Sequence, residues 1–250
     1  MSGIFHTVLY QPLLNILVFF YSSFAFQDLG VSIILLTVFI RVIFYPLFYK
    51  AYKSQKLLQK IQPAMKKIQQ DHKDNRARQA QELMALYKNH KFNPFSGFFL
   101  ILIQLPILIA LYRLFLNGIP DSALSGLYSF VARPEHITHE FLNLIDLMKP
   151  NIIVVGLAAA AQYFQGLLSL SRPAGNQGAL SPAERLSKQM VVIGPVITIV
   201  ILYSLPAAVG LYWLTTSIFS VGQQFLINRS FNKKTETKNE DSKQPNKTDI

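Results

Sequence analysis

Residues 190–227 run for 38 positions without one charged side chain. As a single helix at ~1.5 Å per residue this stretch would reach about 57 Å, nearly twice the hydrocarbon thickness of a bilayer. It has to fold back on itself. Ser204-Leu205-Pro206 is the natural place, because proline lacks the N–H that a helix interior uses. Three further apolar stretches, 31–49, 95–116 and 151–170, each come close to the ~20 residues that one crossing takes. Only 15% of the 250 residues are charged, against about 25% in an ordinary soluble domain. The net charge of +11 would suit a nucleic-acid binder, but the basic residues lie in a few blocks between apolar runs. Polytopic membrane proteins carry charge in that way, so no DNA partner is expected. The expectation is an all-α membrane protein with five transmembrane helices.

Lysine and arginine set the orientation. None occurs in residues 1–40; eleven fall between positions 50 and 91, three in 171–189 and six after residue 228. Segment 117–150 holds two, beside four acids. Basic loops stay in the cytoplasm, which puts the N-terminus outside and the C-terminus inside. The organisation read from this is 1–29 as an N-terminal interfacial helix and lead-in, 30–50 as the first span and 51–93 as a basic cytoplasmic helical hairpin. Then come the second span at 94–116, an extracytoplasmic segment at 117–149, the third span at 150–170 and a cytoplasmic loop at 171–189. The fourth and fifth spans are 190–204 and 206–227, and 228–250 is a disordered basic tail.

The N-terminal stretch is apolar but interrupted by Gln11-Pro12, Asn15 and Ser22-Ser23, which favours a helix lying in the interface; a sixth span or an uncleaved signal are the alternatives. In the hairpin, Leu57, Leu58, Ile61, Met65 and Ile68 recur at helical spacing, as do Ala80, Leu83, Met84 and Tyr87, with a polar turn at 71–75 between them. Pro63 is expected to kink or restart the first of these helices. No transit-peptide pattern is seen at the start, so a bacterial inner (plasma) membrane is expected.

Arg41 is the residue that bears on function. It lies ten residues into its apolar stretch, about 15 Å deep, where an arginine costs roughly 2.5–3.5 kcal/mol to insert. The ordinary explanation is a structural pair with an acid on another helix, yet no Asp or Glu occurs in any of the four apolar stretches. Water, backbone carbonyls, lipid phosphate or an acidic group brought from elsewhere remain as partners, and a hydrated pocket is the favoured reading. Gln104 and Gln162 are the deepest of the other polar residues and could share that pocket. Each could equally be an interhelical hydrogen-bonding residue, like Gln165, Thr215, Thr216, Ser217 and Gln223-Gln224. Trp213, the sole tryptophan, reads as an interface anchor or a packing residue.

Catalytic readings find little support. There is no cysteine, and all five histidines lie outside the apolar stretches. The stretch 135–140, Glu-His-Ile-Thr-His-Glu, has neither zincin order, and no glycine loop suited to phosphate appears. Proton-coupled transport normally needs an intramembrane carboxylate or histidine, and none is present. No catalytic residue, metal site or cofactor is expected, and the chain is not expected to be an enzyme.

Several segments together carry a resemblance. They are YQPLLNIL at 10–17, GVSIILLTVFIRVIFYPLF at 30–48, IQPAMKKIQQ at 61–70, NPFSG at 93–97, IQLPILIALY at 103–112 and PAAVGLYWLTTSIFSVGQQFLINR at 206–229. In this order they resemble the YidC/Oxa1/Alb3 family of membrane protein insertases, in the short form without the large extracytoplasmic domain. The resemblance implies a five-span core, an interfacial helix before it and a cytoplasmic hairpin after the first span. It also implies a hydrophilic groove open to cytoplasm and lipid, whose arginine would be Arg41 by motif match, with Gln104, Gln162 and Trp213 as groove residues by position. Nascent membrane proteins would be the substrates and the lipid bilayer the setting; the ribosome and a Sec translocon are further partners it brings into view. The alternatives are a small channel or transporter that uses Arg41 to attract anions, and a scaffold subunit of a translocon.

Overall fold

Asp28 starts the helix that carries Arg41. Its carboxylate accepts from the Val31 N–H at 2.8 Å, capping helix α2 (Leu29–Ile43), and from the Leu142 N–H at 2.6 Å. In this computed structural model, which describes residues 3–93, 96–116, 118–170 and 182–241, nine helices and one small hairpin can be traced. Helix α1 (Gly3–Ser23), with a π-helical stretch at His6–Tyr10, precedes α2. After α2 come α3 (Tyr45–Asp71), α4 (Arg76–Asn89), α5 (Ser96–Leu116) and the single turn α6 (Asp121–Leu124). Strands β1 (Glu140–Phe141) and β2 (Ile145–Asp146) pair antiparallel. They lead to α7 (Ile152–Ser169), α8 (Pro182–Leu202) and α9 (Ala207–Asp241). Parts of the expected loop 171–189 and of the tail, namely 171–181 and 242–250, lie outside the described residues, as do Pro94 and Phe95 of the 93–97 motif.

The first span departs from its expected bounds. Instead of a helix to residue 50, α2 ends at Ile43 and α3 leaves it at 69°. Pro46 accounts for the break: it has no N–H to continue the α2 ladder, and its ring crowds the carbonyl one turn back. It then sits comfortably in the first turn of α3. Pro63, by contrast, does not restart the helix, since α3 runs unbroken from Tyr45 to Asp71. One missing hydrogen bond on a half-exposed helix is readily compensated by water. The tip of the α3–α4 hairpin is tied by Asn75, which caps α4 through the Arg78 N–H at 3.0 Å. The Gln79 amide also donates to the Gln69 carbonyl at 3.1 Å. At the other end of the chain, α9 continues to Asp241 where a disordered tail had been expected from 228. A helix already nucleated extends cheaply through Lys- and Glu-rich sequence.

The core gathers where α1, α2, α5 and the start of α9 meet. Leu17, Val18, Leu29, Leu111 and Phe115 are fully buried there. α7 and α9 approach closely because Gly210 faces Val154; a Cβ on Gly210 would come within 2.9 Å of the Val154 side chain. Helices α8 and α9 part at 203–206, where the Ala207 and Ala208 N–H groups turn to the Lys149 and Leu147 carbonyls at 2.9 and 3.0 Å.

By length and hydropathy, α1 and α7 each suffice to cross a membrane, and α2 with α3 would make a third span if the bent pair counts as one. Shorter apolar helices occupy Leu102–Leu116 and Lys188–Leu202. Helix α1, expected in the interface, thus meets the length criterion for crossing. Besides packing on α2 and α5, it hydrogen-bonds the 118–150 segment from Gln11 to Ser22. The Gln11 amide donates to the Gly126 carbonyl at 3.2 Å and Asn15 accepts from the Tyr128 N–H at 2.6 Å. The Ser22 hydroxyl donates to the Ala132 carbonyl at 3.1 Å, and the Tyr21 hydroxyl accepts from the Thr138 N–H at 3.0 Å.

Candidate functional site

Because of the turn at Phe44, Arg41 stands in the last turn of a 15-residue helix rather than in the middle of a longer one. The C-terminal end of a helix suits a cation. The same turn brings α3 beneath the guanidinium: its Cζ lies 4.1 Å from the Phe48 ring centroid, a cation–π contact. Tyr52, one turn further on, is within hydrogen-bond reach. Arg41 is 5% exposed, yet Nη1 has no hydrogen-bond partner. Among the described residues no carboxylate pairs with it. A buried cation with a free donor and no counter-ion is costly to maintain, and it faces a cavity of about 700 Å³.

The cavity is open-sided and bounded by five of the helices that carry apolar stretches, together with the first turns of α3. All four residues singled out from the sequence line it: Arg41 on α2, Gln104 on α5, Gln162 on α7 and Trp213 on α9. They are not equivalent. Gln104 hydrogen-bonds the hydroxyl of Tyr212, which is itself buried beside Arg41. Gln162 braces the wall opposite, its carbonyl oxygen accepting from the Trp213 indole N–H at 3.0 Å and from the Thr198 hydroxyl. One glutamine thereby joins α7, α8 and α9. Gln162 and Trp213 are partnered with each other, whereas Arg41 Nη1 is not.

Of the other lining residues, the sequence offers Gln165, Thr216 and Ser217 only as interhelical hydrogen-bonding groups, and Ser169 and Ser220 escape it. Gln165 and Ser169 follow Gln162 at three- and four-residue steps, and Ser217 and Ser220 follow Trp213 in the same way. Such spacing puts each set on one face of its helix, a polar stripe that the sequence did display. Thr216 belongs to the second set, and its hydroxyl is buried without a partner. Tyr52 and Gln55 gave no such signal, since only the bend after Ile43 carries them to the cavity.

Residues 19–235 match the family model described as 60Kd inner membrane protein. The chain is 34% identical over 200 residues to the membrane protein insertase YidC of Fusobacterium nucleatum subsp. nucleatum, covering 80% of this chain and 86% of that protein. The chain belongs to this family, YidC/Oxa1. It is 31% identical over 229 residues to the YidC insertase of Pelobacter propionicus, covering 90% of this chain but 39% of that protein. Several of its relatives are thus more than twice the length that it spans. Among solved structures it is similar to an active YidC insertase crystal structure with the first transmembrane domain resolved, with a TM-score of 0.60 at 23% identity, over 88% of this chain and 46% of that one. This likeness shows a shared, predominantly helical YidC fold. As a member of the YidC/Oxa1 family the chain is a membrane protein.

Proposed function

We propose that this chain is a membrane protein insertase and chaperone, which receives a polar segment of a nascent membrane protein in the cavity around Arg41. The observation that carries this reading is a buried guanidinium with an unpaired Nη1, facing an open-sided cavity among apolar helices. The names of the relatives support it.

A polar or acidic segment meets its barrier in leaving water for hydrocarbon. A cavity lined by glutamine, serine and threonine as well as by Leu105, Leu108 and Val191 offers hydration to the segment and apolar contact to the following transmembrane helix. Arg41 supplies one compensating charge. A single cation among neutral polar groups attracts an acidic segment without trapping it, so release remains feasible. The chemistry is binding and transfer, with no covalent step.

In this reading the five spans are α2, α5, α7, α8 and the apolar part of α9, in a bacterial inner membrane. The N-terminus lies outside, and the α3–α4 hairpin and the tail are cytoplasmic. Helix α1 lies in the outer interface. The hydrogen bonds from Gln11, Asn15, Tyr21 and Ser22 run along it to a segment that carries Arg133 and Glu135. If α1 crossed the bilayer, the irregular backbone at Gly126 and Tyr128, bonded to Gln11 and Asn15 in mid-helix, would be drawn into hydrocarbon with it. The basic hairpin is positioned to meet the ribosome, the substrate or anionic headgroups, and a Sec translocon is a further partner.

The test is reconstitution of the chain alone in liposomes with a small membrane protein bearing an acidic N-terminal tail. Protection of that tail from external protease, above the level of empty liposomes, is the expected result. Ion flux without any substrate protein, and no protection, would replace the insertase with a channel.

A further inference from the structure

Three bulky apolar side chains stand out at the end of the bundle where α2 begins. Phe26 is 97% exposed, Leu144 83% and Leu142 57%. Nothing in their sequence position requires this, and the backbone is held in an unfavourable form to do it. Phe26 has φ 51° and Leu142 φ 53°, in the left-handed region that bulky residues seldom adopt. Gln27 and Asn143 beside them share it, at 62° and 56°.

Two loops are locked together in this arrangement. Asp28 accepts from the Leu142 N–H, and the Thr138 hydroxyl donates to the Gln27 carbonyl at 3.0 Å. The ring of Phe141 packs onto Gly30 so tightly that a Cβ there would overlap it. The hairpin therefore packs the half-buried Phe141 against α2 and projects Leu142 and Leu144 from its tip. Strain combined with exposure, held by specific bonds, is a pattern found at functional surfaces.

The height of these residues identifies the occupant. The hairpin is bonded to the first turn of α2, and Leu147, just beyond it, is bonded to the first turn of α9. α7 also begins at this end, after Asn151, with Ile152 and Ile153 exposed. The first turns of spanning helices mark a membrane interface. The tip residues emerge at that level, continuous with the apolar outer faces of the helices. The charged residues lie off the tip: Arg133 and Glu135 on the neighbouring stretch of loop, and Glu140, Asp146 and Lys149 at the base of the hairpin, the last two paired at 2.7 Å.

We propose that Phe26, Leu142 and Leu144 form a hydrophobic rim embedded in the acyl region of the outer leaflet, anchoring the extracytoplasmic face of the protein to lipid. The proposal rests on the reading that α2, α7 and α9 cross the bilayer from this end.

The chain has no cysteine, so single-cysteine variants take a nitroxide label at one chosen place. Phe26→Cys, Leu144→Cys, Glu135→Cys and Val200→Cys would be labelled in the full chain, reconstituted in phosphatidylethanolamine/phosphatidylglycerol liposomes. Collision with oxygen would be compared with collision with a water-soluble nickel chelate. Val200, 70% exposed on α8, is the lipid reference, and Glu135 is the water reference. Labels at 26 and 144 should favour oxygen over nickel several-fold more than the label at 135, independent of the protein-to-lipid ratio. Nickel access at 26 and 144 equal to that at 135, with Val200 shielded, would overturn the rim and leave the insertase reading intact. Shielding that appears only at high protein density would overturn it in favour of a second copy of the chain. Nickel access at Val200 would overturn the membrane placement on which both rest.

Discussion

Replacing Arg41 with alanine removes the one charge that, among the described residues, faces the cavity, and its effect should depend on the cargo. An incoming carboxylate about 4 Å from the free Nη1, in surroundings of effective dielectric about 20, gains roughly 4 kcal/mol of attraction. Stripping water from the carboxylate as it enters offsets part of this, leaving on the order of 2 kcal/mol of net help. At about 1.4 kcal/mol per tenfold, that is roughly a 30-fold change in insertion rate. The assay is time-resolved protease protection in liposomes, with two cargos that differ only in whether the translocated tail carries Asp and Glu or Asn and Gln. Arg41→Ala should slow the acidic cargo about 30-fold and the neutral one hardly at all. Arg41→Lys, which keeps the charge but loses the flat guanidinium over Phe48, should fall between. Equal slowing of both cargos would refute the reasoning, because it would mean that Arg41 acts by holding α2 against α3 rather than by meeting charge.

Asp28→Ala should lower the midpoint of thermal unfolding in detergent by about 5–10 °C, from a lost helix cap of ~1 kcal/mol and a lost charged bond to the Leu142 N–H of ~1.5 kcal/mol; an unchanged midpoint would show that the two contacts carry no stability. Gly30→Ala should expel the Phe141 ring and speed hydrogen exchange across 140–146, and adding Phe141→Ala should slow exchange again only in part, since it removes the overlapping ring but leaves the Phe141 Cβ 2.6 Å from the new methyl. Gln162→Leu leaves the Trp213 indole N–H and the Thr198 hydroxyl without their acceptor, at ~1–3 kcal/mol each. Because Trp213 is the sole tryptophan, its fluorescence should shift to the blue in that variant, and an unchanged spectrum would mean the bond is not made. Gly210→Val should separate α7 from α9, seen as a lower unfolding midpoint, with Val154→Ala relieving it by opening the space.

The membrane class, the basic hairpin and the lack of an acidic partner for Arg41 in the apolar stretches were legible from residues taken one at a time. Hydropathy and charge act independently at each position, so a stretch without charges declares its solvent whatever its neighbours do. Arg41 could be singled out because a missing acid is also a one-dimensional fact. The polar stripes at Gln162, Gln165 and Ser169 and at Trp213, Ser217 and Ser220 were written in helical spacing too, although spacing cannot tell a cavity wall from a helix contact.

Other features depended on which groups met across the bundle. Pro46 lay inside an apolar run and, like Pro206, allowed a break there, but the 69° direction of the turn is seen only in the folded chain. That turn alone brought Tyr52 and Gln55 to a residue more than ten positions earlier. The bond between Gln162 and Trp213 joins residues 51 positions apart, and the exposed Leu142 and Leu144 result from Phe141 finding the bare backbone of Gly30. Solvent preference is a property of single side chains, whereas pairing is a property of distances. The sequence by itself therefore determined where this chain resides, and only the tertiary structure decided which polar groups were satisfied and which, like Arg41 Nη1, were left free to bind.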